Sequence, residues 1–346
     1  MFICLSSGSR PQYRDDIFRA LALPSGSVLQ FRYDKRYLTQ ATRTDVENKA
    51  AAGMAALIVY IDQATKDKPP AFVPCRYAKV KSVAEHGTTV SVELIVDDFA
   101  YADNLQSFTQ WLQQTFPNDL PHWHEGNLEG KYWLKSPQAP TTPVRTTTLG
   151  NWENVIVQLA GTSDFQNECC FFTVTQVVRK GKKLPPTDGT FVLDSGSAYE
   201  MLVYHYHPSK FADNLKLELA VADGCGVTVL TNPSIRIDSR YDQKTTRFQT
   251  ERTPSDRVGF ITFAWSKGGD TDSHTLFDIP VRVKGAFWSS VGFALALAVF
   301  LAGPQVFAAW TSTTLSLDRA IWSTVVATVC GLAAGLFAAF GLKKSW

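Results

Sequence analysis

The chain has 346 residues, with 34 Lys and Arg against 32 Asp and Glu, for a formal net charge of +2. So even a balance singles out no class of partner, neither polyanion nor acidic substrate. The six cysteines, Cys4, Cys75, Cys169, Cys170, Cys225 and Cys330, form no spacing pattern of a disulfide framework and are read as reduced thiols.

Met1-Phe2-Ile3-Cys4-Leu5 is apolar for a few residues and turns polar at Ser6-Ser7-Gly8. Without a basic start and a long apolar stretch it is no signal peptide, and it reads as a first strand. Tyr13, Ile17 and Leu21 recur at helical spacing until Pro24-Ser25-Gly26. A strand over Val28–Leu38 follows, then a short helix opening at Thr44, and an apolar strand over Ala56–Ile61. Phe72–Val83 leads through Glu85-His86-Gly87 into Thr89–Val96, where Val90, Val92, Leu94 and Val96 alternate as in a hairpin. Asp103 is placed to cap a helix carrying Leu105, Phe108, Leu112 and Thr115 on one stripe. These elements predict an α+β N-terminal domain over 1–135, a small curled antiparallel sheet with flanking helices.

Three prolines in Ser136-Pro137-Gln138-Ala139-Pro140-Thr141-Thr142-Pro143, with the threonines that follow, predict an extended linker over 136–148. Residues 149–285 then read as nearly all β. Expected strands are Asn154–Leu159, Phe171–Arg179, Thr190–Asp194, Tyr199–His207, Leu215–Ala222, Gly226–Leu230, Ser234–Ser239, Thr245–Gln249, Arg257–Trp265 and Thr275–Val283. Many short strands at such spacing predict an immunoglobulin-like β-sandwich.

From Ala286 to Trp310, and again from Ala320 to Leu342, no Asp, Glu, Lys or Arg occurs. A helix needs about 20 apolar residues to cross hydrocarbon, so 286–310 and 320–342 predict a C-terminal transmembrane α-helical hairpin. Arg282 and Lys284 precede it and Lys343 and Lys344 follow it. By the positive-inside rule this predicts a multi-pass protein of the cell inner (plasma) membrane with both termini cytoplasmic. Gly331 and Gly335 form a GxxxG and, with the Gly303-Pro304 break, are the expected helix-packing positions.

No Walker loop, GxSxG elbow, HExxH or kinase set occurs, so no catalytic residue and no cofactor are expected. His122 and His124, and His205 and His207, are weak metal candidates, since residues two apart on a strand share a face. Basic residues interleave with aromatics at Arg32-Tyr33-Asp34-Lys35-Arg36-Tyr37 and Arg76-Tyr77-Ala78-Lys79-Val80-Lys81. Arg32, Tyr33, Arg36, Arg76, Tyr77 and Lys79 are therefore the expected ligand surface, suited to a nucleotide or nucleic acid through guanidinium forks and stacking rings. Arg179-Lys180-Gly181-Lys182-Lys183 reads as a hairpin tip that can also reach anionic headgroups.

In domain order alone, the chain resembles the two-transmembrane-helix effectors of prokaryotic antiviral defence systems. That resemblance implies cytosolic sensing of a signal or partner, self-association, and action of the helices on the membrane. Expected partners are membrane lipids and either further copies of the chain or a cytosolic protein. The alternatives are a non-catalytic membrane scaffold recruiting a cytosolic partner and a membrane-anchored metal-dependent hydrolase.

Overall fold

The computed structural model describes residues 1–8, 10–62, 70–117, 131–137, 144–147, 149–162, 164–165, 170–208, 215–267 and 274–285, together with Val325 and Val329. The chain begins with β1 (Phe2–Ser7), α1 (Pro11–Ala22), β2 (Val28–Asp34), α2 (Gln40–Glu47), β3 (Ala55–Asp62), β4 (Ala71–His86), β5 (Thr89–Ala102), α3 (Leu105–Thr115), β6 (Lys131–Lys135), β7 (Val144–Thr147) and α4 (Leu149–Ala160). Its strands form one sheet in the order β2-β5-β4-β3-β1-β6, with β7 paired to β5. β1 and β3 run parallel, and β6 is antiparallel to β1. The sheet curls until Leu38, just beyond β2, bridges Trp133 of β6.

Local chemistry accounts for the helices. Pro11 occupies the first turn of α1, where its missing N–H costs nothing. Pro24 forces the residue before it out of helical geometry and so ends the helix. The Thr39 hydroxyl accepts from Thr42 N at 3.2 Å to cap α2. At α3 the cap is Asn104, whose Oδ1 accepts from Ser107 N at 3.0 Å, so the start lies one residue beyond the expected Asp103. Phe108, Trp111 and Leu112 of α3 cover one face of the sheet, packing with Ile3, Leu5, Val59 and Ile61. The opposite face takes α1 and α4.

The second half contains β8 (Phe171–Arg179), β9 (Lys182–Leu184), β10 (Phe191–Asp194), β11 (Ala198–Tyr206), β12 (Leu215–Val221), β13 (Val227–Val229), β14 (Ser234–Ile237), β15 (Tyr241–Thr250), β16 (Arg257–Lys267) and β17 (His274–Lys284). They form a β-sandwich of two five-stranded sheets, β10-β17-β16-β12-β14 and β13-β15-β11-β8-β9. Alternating residues point inward, among them Leu215, Leu217 and Phe263 from one sheet and Tyr199, Met201 and Phe248 from the other. β10 joins β17 in parallel, the one departure from antiparallel pairing among the described strands of the sandwich.

Two expectations are corrected. Asn154–Leu159 is helix α4, because Trp152, Val155, Ile156 and Leu159 form one buried stripe at helical spacing. The transmembrane hairpin, and with it the multi-pass inner-membrane location, is overturned: among the described residues no helix is long and apolar enough to cross a membrane. α1 and α4, at 12 residues each, span about 18 Å against roughly 30 Å of hydrocarbon. A charge-free run meets a length criterion without dictating what the run packs against. The two segments themselves, with Gly303, Pro304, Gly331 and Gly335, lie outside the described residues; Val325 and Val329 are helical and exposed.

Candidate functional site

Polar side chains concentrate where the parallel pair ends. Ser6 and Ser7 close β1 and Asp62 closes β3, and all three are buried. In register, Ser6 faces Lys131 at the start of β6. The Lys131 ammonium pairs with the Asp16 carboxylate of α1 and lies 4.5 Å from the Phe31 ring centre and 5.0 Å from that of Tyr13. Burial pushes this amine down to about 7, an effect that the nearby Cys4 opposes. The Ser6 hydroxyl donates to the Tyr13 carbonyl at 3.0 Å. On β3 the Tyr60 hydroxyl donates to the Asp164 carboxylate, and burial, then that carboxylate, pushes the phenol upward. A Cβ at Gly8 would overlap the Asp164 carboxylate and crowd the Tyr60 hydroxyl, so the β1–α1 connection approaches this pair as only glycine can. Hydroxyls, a carboxylate and a neutralisable amine can together orient a polar or anionic ligand. Burial raises the Cys4 and Cys75 thiols to about 12, so neither is a thiolate nucleophile near neutral pH.

The other end of α1 is fastened to both halves of the molecule. A helix leaves its last carbonyls without intrahelical donors. Here Arg19 O takes Leu23 N at 3.0 Å, and Ala20 O and Leu23 O take the Arg76 guanidinium at 2.6 and 2.5 Å. Leu21 O takes the Trp152 indole at 3.1 Å and Ala22 O the Thr173 hydroxyl at 3.4 Å. The donors come from β4, α4 and β8. Arg76 also donates to Asp97 O at 2.6 Å and lies 4.2 Å from the Phe99 ring centre. Its cation sits where the helix dipole favours positive charge. Desolvation nevertheless lowers it to about 9, against the opposing pull of Asp97 and Asp98.

The expected ligand surface is divided by strand alternation. Arg32 and Lys79 share an outward face with Glu93 between them, which already engages Ser82 at 2.8 Å and Lys81 at 3.6 Å. Tyr33 and Arg76 point the other way and are buried, so they are corrected from surface residues to core residues. Tyr77 packs with the cluster under α3. Arg36 pairs with Asp34 at 3.3 Å beyond the end of β2. His205 and His207 are buried with ring centres 5.9 Å apart, and His205 Nε2 lies 3.1 Å from Ser239 O. Among the described residues no third His, Cys, Asp or Glu completes a metal-binding group. His122 and His124 lie outside the described residues. Sequence reasoning missed Ser6, Asp16 and Lys131. The available signal was the polar Ser6-Ser7-Gly8 break between an apolar strand and a helix.

No family model matches the chain, and no curated protein does. Among solved structures it is similar to the class 5 fimbriae chaperone CfaA at 12% identity and TM-score 0.21, covering 28% of this chain and 53% of that one. The chain thus spans about half the length of that chaperone. It is also similar to the CooA pilin subunit from enterotoxigenic Escherichia coli, at 8% identity and TM-score 0.20 over 34% of this chain and 98% of the pilin. A third similarity is to WR4, a C. elegans MSP family member, at 12% identity and TM-score 0.19 over 28% and 92%. Scores this low carry no argument about function and place the chain in no family.

Proposed function

We propose that the protein is a non-catalytic sensor that takes a phosphate-bearing ligand, such as a nucleotide, at the carboxyl edge of the β1–β3 pair and passes the binding event to the sandwich through α1. One observation supports this reading above the others. The middle of α1 lies against the polar edge, where Asp16 holds Lys131, and the helix ends in carbonyls held by donors from the sheet, α4 and the sandwich. In open α/β sheets ligands bind outside the carboxyl ends of parallel strands, and β1 and β3 are the parallel pair here. Here β1 has a parallel neighbour on one side and an antiparallel neighbour on the other. An anion there competes with Asp16 for Lys131 and so acts on α1 directly. The resemblance to antiviral membrane effectors depends on the hairpin and forms no part of this reading.

Hydrogen–deuterium exchange on the full chain, with and without ATP or a short single-stranded oligonucleotide, tests it. The expected result is protection of residues 6–16 together with changed exchange at 20–23 and in β8. Protection confined to the outward face around Arg32 and Lys79 would move the ligand there and refute the proposal. Protection at the edge with no change in β8 would leave a static scaffold instead of a sensor.

A further inference from the structure

Strand register gives the sandwich two unlike ends. At the near end Tyr206 pairs with Phe171 and Tyr241, and the rings of Tyr204 and Tyr206 meet Trp152 of α4. At the far end Arg179 pairs with Lys182, Val227 with Thr250, Arg257 with Val283, and Asp194 with Lys284. The turns at 180–181, 195–197, 222–226 and 251–256 therefore gather at that far end, where β17 also finishes.

Its charges do not cancel. Asp194 is held by Arg179, Glu251 by Arg257 at 3.6 Å, and Asp256 by Arg282 at 2.8 Å. Lys180, Lys182 and Lys183 at the β8–β9 tip are exposed and make no ion pair among the described residues. Lys180 has φ 48° and Gly181 φ 76°, the left-handed pair of a tight two-residue hairpin turn. Glycine or asparagine adopts this conformation more cheaply than lysine, so a charge is kept at the tip against local preference. Beside this end, on the outer face of β16, Val258 is 69% exposed and Phe260 46%. Val258 stands opposite Arg282 in register.

We propose that the far end of the sandwich docks on a surface of anionic phospholipid headgroups, with Lys180, Lys182 and Lys183 on the phosphates and Val258 and Phe260 at the boundary with the acyl chains. Ammonium groups with no ion pair among the described residues, at the same end of the sandwich as exposed apolar side chains, match the layered chemistry of that boundary. The contact is peripheral, uses no spanning helix, and stands independently of the ligand reading at the β1–β3 edge.

Flotation of the full chain with vesicles tests it, comparing phosphatidylcholine alone with phosphatidylcholine containing phosphatidylglycerol. The protein is expected to prefer the anionic vesicles and to lose that preference in high salt. Each lysine near an anionic surface is worth about fivefold in partitioning, so replacing all three by glutamine should lower it on the order of a hundredfold. An unchanged thermal transition of the triple variant checks its fold; should the fold fail, Lys182→Gln alone is read for its fivefold loss. Equal binding to both vesicle types, or a variant that partitions like the wild type, overturns the proposal. So does a single-stranded DNA oligonucleotide that binds the wild type through these lysines while anionic vesicles do not, which would assign the surface to nucleic acid.

Discussion

Replacing Arg76 by methionine removes the guanidinium and keeps an unbranched stem of similar length, isolating the role of the charge and its donors. The change leaves the buried carbonyls of Ala20 and Leu23 without the donor they have at 2.6 and 2.5 Å, while the carbonyl of the exposed Asp97 keeps the Ser25 hydroxyl at 3.2 Å. A buried acceptor stripped of its partner costs about 1–3 kcal/mol, so two give roughly 2–6 kcal/mol before compensation. Relief comes from no longer burying a cation, which desolvation disfavours strongly enough to bring the group to about 9. We expect a net loss of about 2–5 kcal/mol, in line with breaking a buried charged network and a large share of the roughly 5–15 kcal/mol that holds a typical domain together. Urea unfolding of the full chain, followed by tryptophan fluorescence, reads this as a lower midpoint. Arg76→Lys should fall between the two, since an ammonium retains the charge without the planar fork. A methionine variant within about 0.5 kcal/mol of wild type, the range of ordinary surface substitutions, would refute the assignment of Arg76 to the core.

Further outcomes follow from the same geometry. Trp152→Phe keeps a ring in the seam but orphans Leu21 O, and should destabilise by about 1–3 kcal/mol in the same urea assay. Combined with Arg76→Met it should be non-additive, because both act on one helix end. Gly8→Ala forces a methyl onto Asp164 and should cost about 1–3 kcal/mol by overpacking; an unchanged midpoint would show that the β1–α1 connection moves aside freely. Burial pushes His205 below 6.5, partly opposed by its bond to Ser239 O, so the folded form takes up its proton less readily than the unfolded chain. Its contribution to stability is complete above pH 6.5 and is lost as the pH falls through the window beneath. Wild type should therefore lose stability on acidification faster than His205→Gln, and parallel pH profiles would contradict this.

Much of the fold is legible in the sequence because much of it is amphipathic. The alternation of Leu215, Leu217 and Leu219, and of Val90, Val92 and Leu94, survives into buried strand faces, and the stripe of α3 does the same for a helix. The sequence of α4 reads as a strand because Val155-Ile156-Val157 is β-branched and apolar, a run that fits a strand locally, whereas Trp152, Val155, Ile156 and Leu159 share one helical face. The site was harder to read for a different reason. Arg76 and Lys131 have ordinary sequence neighbours, and their partners are far along the chain: Ala20 O is 56 positions from Arg76, and Asp16 is 115 from Lys131. Local pattern distinguishes the two faces of a strand but not which of them a basic residue occupies when its counterpart is supplied by a distant helix.

The fastening of α1 also bears on the order in which the chain can fold during synthesis. The helix is complete once about two dozen residues have emerged, yet Trp152 and Thr173, which close its last carbonyls, lie 131 and 151 positions further along. At roughly 5–20 residues per second the ribosome takes on the order of ten seconds to deliver them. Throughout that interval the nascent first half presents an unfinished helix end and an apolar seam, the surface on which a chaperone would act.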